Sequence, residues 1–210
     1  MSETARGYTR RAVIVALAAV QVAITCKAWA EAQLSAEFQR ELRGGGFVFD
    51  NGLFADFEPA RILANPHMDY EHAVRHRSIP LEIRFALRYY SGSRNESAPS
   101  GEQNFRIDAE TVVRNITAKS DAAQDQIRMS AFDANAVREE FNADFGLHAA
   151  FTPNPTFARY TAGLCVVIGR TRREAAGYII YLYNSTAGGW SEETEKAVKH
   201  TFYALHFGDF

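Results

Sequence analysis

The sequence predicts an α+β domain, with a mainly antiparallel sheet and helices packed on one face. Three observations predict it. Residues 81–89 alternate Leu81, Ile83, Phe85, Leu87 and Tyr89 with Glu82, Arg84, Ala86 and Arg88, the period of a strand with one apolar and one wet face. Two apolar runs, residues 164–168 and 178–183, flank a short polar segment containing Arg170, Arg172 and Arg173, which favours an antiparallel hairpin. Helix signals fall between these strands.

The first thirty residues read as a secretory leader rather than as part of the domain. Arg6, Arg10 and Arg11 make a basic start, residues 12–25 form an apolar run, and Ala28-Trp29-Ala30 has the small-x-small pattern of a cleavage site. The run is shorter than the roughly 20 residues that span a bilayer. Cleavage after Ala30 is the reading that fits best. The alternatives are twin-arginine export through Arg10-Arg11, a lipid anchor on Cys26 and an uncleaved signal anchor. The expected destination is the periplasm or the exterior.

Cleavage would leave residues 31–210 as a single domain. The whole chain has 23 basic and 25 acidic residues, and the leader removes Arg6, Arg10, Arg11, Lys27 and Glu3. The remaining 19 basic and 24 acidic residues, net −5, have no general attraction for a phosphate backbone, so nucleic acid is excluded as the expected partner. One cysteine would remain, Cys165. It lies in the run Leu164-Cys165-Val166-Val167-Ile168 and reads as a small core hydrophobe.

The elements follow in order. Residues 31–43 predict an amphipathic helix with Leu34, Phe38 and Leu42 on one face, stopped by Gly44-Gly45-Gly46. Phe47-Val48-Phe49 predicts a short strand. Residues 91–103, rich in Ser, Gly and charged residues, read as a mobile loop. Residues 108–117 predict a helix through Val112, Val113 and Ile116, and residues 126–132 a strand through Ile127, Met129 and Ala131. A further helix is expected over residues 133–144, carrying Val137 and Phe141. The last helix is capped by Ser191, with Glu192, Glu193 and Glu195 opposing the positive end of its dipole. Val198, Thr201, Phe202 and Leu205 form its apolar face, and Gly208 ends it.

Candidate chemistry concentrates in residues 67–76, His-Met-Asp-Tyr-Glu-His-Ala-Val-Arg-His. On a helix, Asp69, His72 and His76 would share one face, and the spacing of His72 and His76 would let two imidazoles hold one zinc ion. The zincin pattern also needs a Glu directly after the first His. Ala73 stands there, and Glu71 would point about 100° away around the helix. His200 and His206 are too far apart in rotation to form a ligand pair. The cluster Arg170, Arg172 and Arg173, with Arg84 and Arg88 on the wet face, is a candidate contact for an acidic partner or lipid headgroups.

These features favour an exported, non-catalytic binding or interaction protein whose partner is an unidentified protein or envelope component. The alternative is a metal-dependent hydrolase using Asp69, His72 and His76 with zinc. No organic cofactor is implied.

Residues 74–83, Val-Arg-His-Arg-Ser-Ile-Pro-Leu-Glu-Ile, resemble the basic-aromatic run into Pro and a strand found in an uncharacterised family of secreted proteobacterial proteins. Members of that family carry a domain of unknown function, and some are predicted lipoproteins. Cys165 stands where that family has a Cys, Gly177-Tyr178-Ile179-Ile180 resembles its next strand, and residues 201–209 resemble the end of its final helix. Where the family has a Glu-Glu pair, this sequence has His200-Thr201. The resemblance implies export and supplies no catalytic residue.

Overall fold

The computed structural model describes residues 34–89, 101–186 and 189–209. The expected leader, with Cys26, and residues 91–100 of the expected loop lie outside them. Residues 36–210 form one compact unit. Nine strands are described: β1 (Phe47–Phe49), β2 (Phe57–Pro59), β3 (His72–His76), β4 (Leu81–Tyr89), β5 (Ser130–Ala131), β6 (Phe145–Phe151), β7 (Ala162–Arg170), β8 (Ala175–Tyr183) and β9 (Leu205–Phe207). The helices described are α1 (Ala36–Gly45), α2 (Gly101–Ile116), α3 (Asp121–Asp125), α4 (Ala134–Phe141) and α5 (Glu192–Thr201).

Seven strands form one antiparallel sheet in the order β2-β3-β4-β8-β7-β6-β5, and β1 pairs with β9 in a second. The predicted α+β class with an antiparallel sheet is what the chain forms. β8 lies in the middle, and all nine of its residues are buried, which is why Ala-Ala-Gly-Tyr-Ile-Ile-Tyr-Leu-Tyr is apolar without alternation. The β7–β8 hairpin turns through a 3-10 segment, Thr171–Arg173, and closes at Glu174 with φ 47°.

The helices divide between two faces, where one had been expected. Phe38 of α1 packs on Phe85, whereas Asp108 of α2 meets Tyr178, which is paired with Ala86. Phe85 and Ala86 are consecutive residues on β4, so they point to opposite faces. The face read as wet is therefore covered: Arg84 is 4% exposed and Ala86 fully buried. α2 approaches it closely, because Phe105 lies over Gly169. A Cβ at Gly169 would sit 2.7 Å from the Phe105 ring. Since Phe105 is itself buried, Gly169→Ala is expected to cost about 1–3 kcal/mol, read as a lower urea midpoint at unchanged slope.

Several local readings are corrected. Residues 72–76 are a strand, because β4 supplies partners from His72↔Phe85 to Arg75↔Glu82 and β2 supplies one at Phe57↔His76. α2 begins at Gly101, so residues 101–103 are helical. The strand expected over residues 126–132 shortens to Ser130–Ala131. Asn142, in the left-handed conformation at φ 48°, ends α4 ahead of Gly146. The last helix keeps its Ser191 cap, with Thr194 N–H donating to Oγ at 3.2 Å, but stops at Thr201. Leu205–Phe207 leaves helical geometry to satisfy the backbone of β1, and Phe47 packs on Phe207 at 4.3 Å.

Candidate functional site

The strand geometry of residues 72–76 separates the expected metal ligands. His72 and His76 point to the same side, but four residues of strand span about 13 Å at 3.3 Å per residue. Zinc draws its ligand nitrogens to within about 2.1 Å of itself. His72 is buried, stacked on Phe38 at 4.9 Å and 14°, with the edge of Phe49 at 5.5 Å. Burial holds its imidazole well below the usual range, at about 4. His76 is half-buried, packs on Phe57 and accepts a hydrogen bond from Ser78 N–H at Nδ1, 3.2 Å. Asp69 is exposed in the preceding loop. Among the described residues no group of three or more His, Cys, Asp or Glu side chains is arranged to hold a metal ion.

The hairpin arginines are also separated by their contacts. Arg170 donates to the Gly208 carbonyl at 2.8 Å and lies 6.0 Å over the Phe207 ring. Arg173 covers Gly46. Arg172 is exposed. Cys165 is fully buried, and burial pushes its thiol up to about 12, so it is a core residue. His206, on β9, is partly exposed and lies 3.2 Å from the Tyr203 carbonyl.

The polar residues of β4 form a row, buried at Arg84 and half-buried at Glu82 and Arg88, that sequence reasoning placed in solvent. Arg84 Nε donates to Glu82 at 2.6 Å and Nη1 to the Phe157 carbonyl at 2.9 Å. Its guanidinium lies between the rings of Tyr70 and Phe157, at 4.7 and 4.6 Å. Tyr160 is pushed up to about 12, first by burial and then by the Glu82 carboxylate beside it. Further along, Arg88 bonds Glu71 at 3.0 Å and the Asp69 carbonyl. Burial raises the Glu71 carboxyl although it accepts from Leu87 N–H and Arg88. Tyr178 donates to Asp108 at 2.5 Å, joining α2 to β8. The bonds of Arg84 to the Phe157 carbonyl, of Arg88 to Glu71 and of Tyr178 to Asp108 each tie a loop or helix to the sheet.

Among the described residues, a concave feature with exposed chemistry lies along α5. A groove of about 470 Å³ is lined by Trp190, Glu195, Val198, Lys199 and Phe202. Trp190 packs on Tyr183 at 5.0 Å, and Phe202 stacks on Tyr181 at 6.3 Å and 9°. Both aromatics are partly exposed, and both are backed by tyrosines of the rigid central strand. Lys199 and Glu195 pair at 2.6 Å on the rim, one helical turn apart, so the rim is locally neutral. The sequence showed Phe202 on the helix and Trp190 before its cap. It did not show that the helix would seat both on β8.

Fold and groove together define an α+β domain on a seven-stranded antiparallel sheet, with a partly exposed aromatic groove on one helical side. Comparison of the sequence with protein-family models gives no match, and comparison with curated proteins gives none.

Proposed function

We propose that the protein is exported to the periplasm or the exterior and acts there as a binding protein without catalytic activity. The observation that carries the binding role is the Trp190–Phe202 groove. It presents aromatic surface on a rigid backing with a neutral rim, and Trp and Tyr dominate the residues that anchor protein interfaces. The groove is open along the helix, which suits a side chain carried on another protein's surface better than an enclosed small molecule. Export is supported by the basic, apolar and small-residue order of residues 1–30 and by the resemblance to secreted proteins.

The test couples fractionation with cross-linking. The protein is expected in the osmotic-shock fluid, with a cross-linked partner that Trp190→Ala reduces about tenfold. Recovery in the cytoplasm, or turnover of ester, peptide or phosphoester substrates by the purified protein, would overturn the proposal.

A further inference from the structure

We infer that the connection between β2 and β3 is a membrane-contact loop, which seats Ile62 and Leu63 in the surface of an anionic phospholipid bilayer. The loop shares no residue with the Trp190 groove, and the inference goes beyond the partner proposed for that groove. Ile62 and Leu63 are adjacent and 47% and 51% exposed, and Ala64 and Pro66 are exposed beside them. Single aliphatics scattered over a surface are ordinary, whereas a contiguous apolar run marks a contact.

The loop is held in this shape from within. Leu63 N–H donates to the hydroxyl of buried Tyr70 at 3.0 Å. Asn65 donates to the Met68 carbonyl and accepts from the N–H groups of His67 and Met68, each at 3.0 Å. His67 Nε2 lies 2.6 Å from Thr156 Oγ1, and Arg84 sits between the rings of Tyr70 and Phe157, so residues 60–71 are clamped to residues 152–161. With the backbone fixed, burying Ile62 and Leu63 takes a medium outside the chain.

Charge and area select that medium. Residues 60–68 and 152–161 contain no Asp or Glu, and Arg61 and Arg159 on them are exposed and make no ion pair among the described residues. The carboxylates on these connections and on β2, β3 and β4 are Glu58, Asp69, Glu71 and Glu82. Glu58 is paired with Arg75, Glu71 with Arg88 and Glu82 with Arg84, which leaves Asp69 alone. Two unpaired guanidiniums against one carboxylate make the clamped loops positive, although residues 31–210 carry a net −5. That local balance suits an anionic lipid surface. A second copy joined through the same loop would bring like guanidiniums together. A protein partner needs roughly 800 Å² on each side, more than four side chains offer, and its anchors are typically Trp, Tyr and Arg. Lipid asks only that the aliphatic tips leave water while arginine stays at the level of the headgroups.

The test makes Leu63→Trp in the full chain and adds vesicles of equal parts phosphatidylglycerol and phosphatidylethanolamine with brominated acyl chains. Emission in excess of the parent's is expected to shift to the blue and to be quenched, and brominated phosphatidylcholine vesicles should do this more weakly. On the Leu63→Trp background, Ile62→Ser and Arg61→Gln are each expected to raise the lipid concentration at half-quenching about fivefold. All are exposed positions, so each variant should keep the parent's urea midpoint. A contact this small is reversible, and the protein still leaves with the osmotic-shock fluid. Emission that vesicles neither shift nor quench, or quenching indifferent to both Ile62→Ser and Arg61→Gln, overturns the inference. A concentration-dependent dimer that Ile62→Ser weakens also overturns it, assigning the loop to a second copy. So does a cross-linked protein that Ile62→Ser removes and Trp190→Ala leaves in place, which assigns the loop to a protein partner. Each of these failures leaves the Trp190 groove and export standing.

Discussion

Arg84→Met is expected to lose about 3–5 kcal/mol of stability, read from urea unfolding followed by fluorescence. The substitution keeps much of the side chain's apolar length between Tyr70 and Phe157 but deletes the charge. Glu82, its partner at 2.6 Å with a side chain only 15% exposed, is left as a buried carboxylate without its cation. The cost of breaking a buried pair from one side exceeds the net worth of the pair itself. The Phe157 carbonyl loses its donor as well, which loosens the loop that covers β4. Adding Glu82→Gln should recover part of the loss, because the stranded charge disappears. A single variant within 1 kcal/mol of the parent would show that the row is ornamental. If Arg84→Met does not fold, Glu82→Gln alone still tests the pair, with a smaller expected loss of about 1–3 kcal/mol.

The second large effect is acid sensitivity at His72. Its imidazole sits at about 4 in the folded chain, against an ordinary value of 6.5, and burial is the cause. The folded form therefore resists protonation that the unfolded form accepts. The contribution of neutral His72 is full above pH 6.5, declines as pH falls from 6.5 to 4, and is lost below 4. The span corresponds to about 3 kcal/mol. Its walls are Phe38, Phe49 and Phe85, and none of them can accept a proton's charge by ion pairing. His72→Phe should leave stability near pH 7 within about 1 kcal/mol and flatten the slope between pH 6.5 and 4. An unchanged slope would place the acid response elsewhere than His72, and not at Glu71. Glu71 works with the opposite sign: its carboxyl is raised, so its protonation favours the folded chain as pH falls.

What the sequence disclosed and what it withheld divide along one physical line. β4 was legible because its apolar residues alternate over all nine positions, and the middles of β7 and β8 because residues 164–168 and 178–183 are apolar runs. The Ser191 cap was legible because a cap is decided within three residues. β3 was hidden because His72-Ala73-Val74-Arg75-His76 has no strong preference of its own, and pairing with β4 decides it. β6 was hidden because Gly146, His148 and Ala149 dilute the apolar pattern of a strand held by β7. β9 was misread because Leu205 also falls on the helical period of Val198, Thr201 and Phe202, and the choice is made by Phe47 and Phe49 far away in the chain. The candidate site was less legible still. Alternation placed Arg84 in water, while the carbonyl and ring that bury it belong to Phe157, 73 positions later. Trp190 was visible in the sequence, but the tyrosine behind it was not.

The β1–β9 pair has a consequence for the order in which the molecule is made. Phe47 is registered against Phe207, 160 positions later, and closing a contact of that span is slow compared with local structure. The central sheet imposes the same delay, since β4 waits for β8. During synthesis β2, β3 and β4 can pair with one another, while β1 waits for Leu205–Phe207 and the free edge of β4 waits for β8. Neither sheet can close until β8 and β9 have been made.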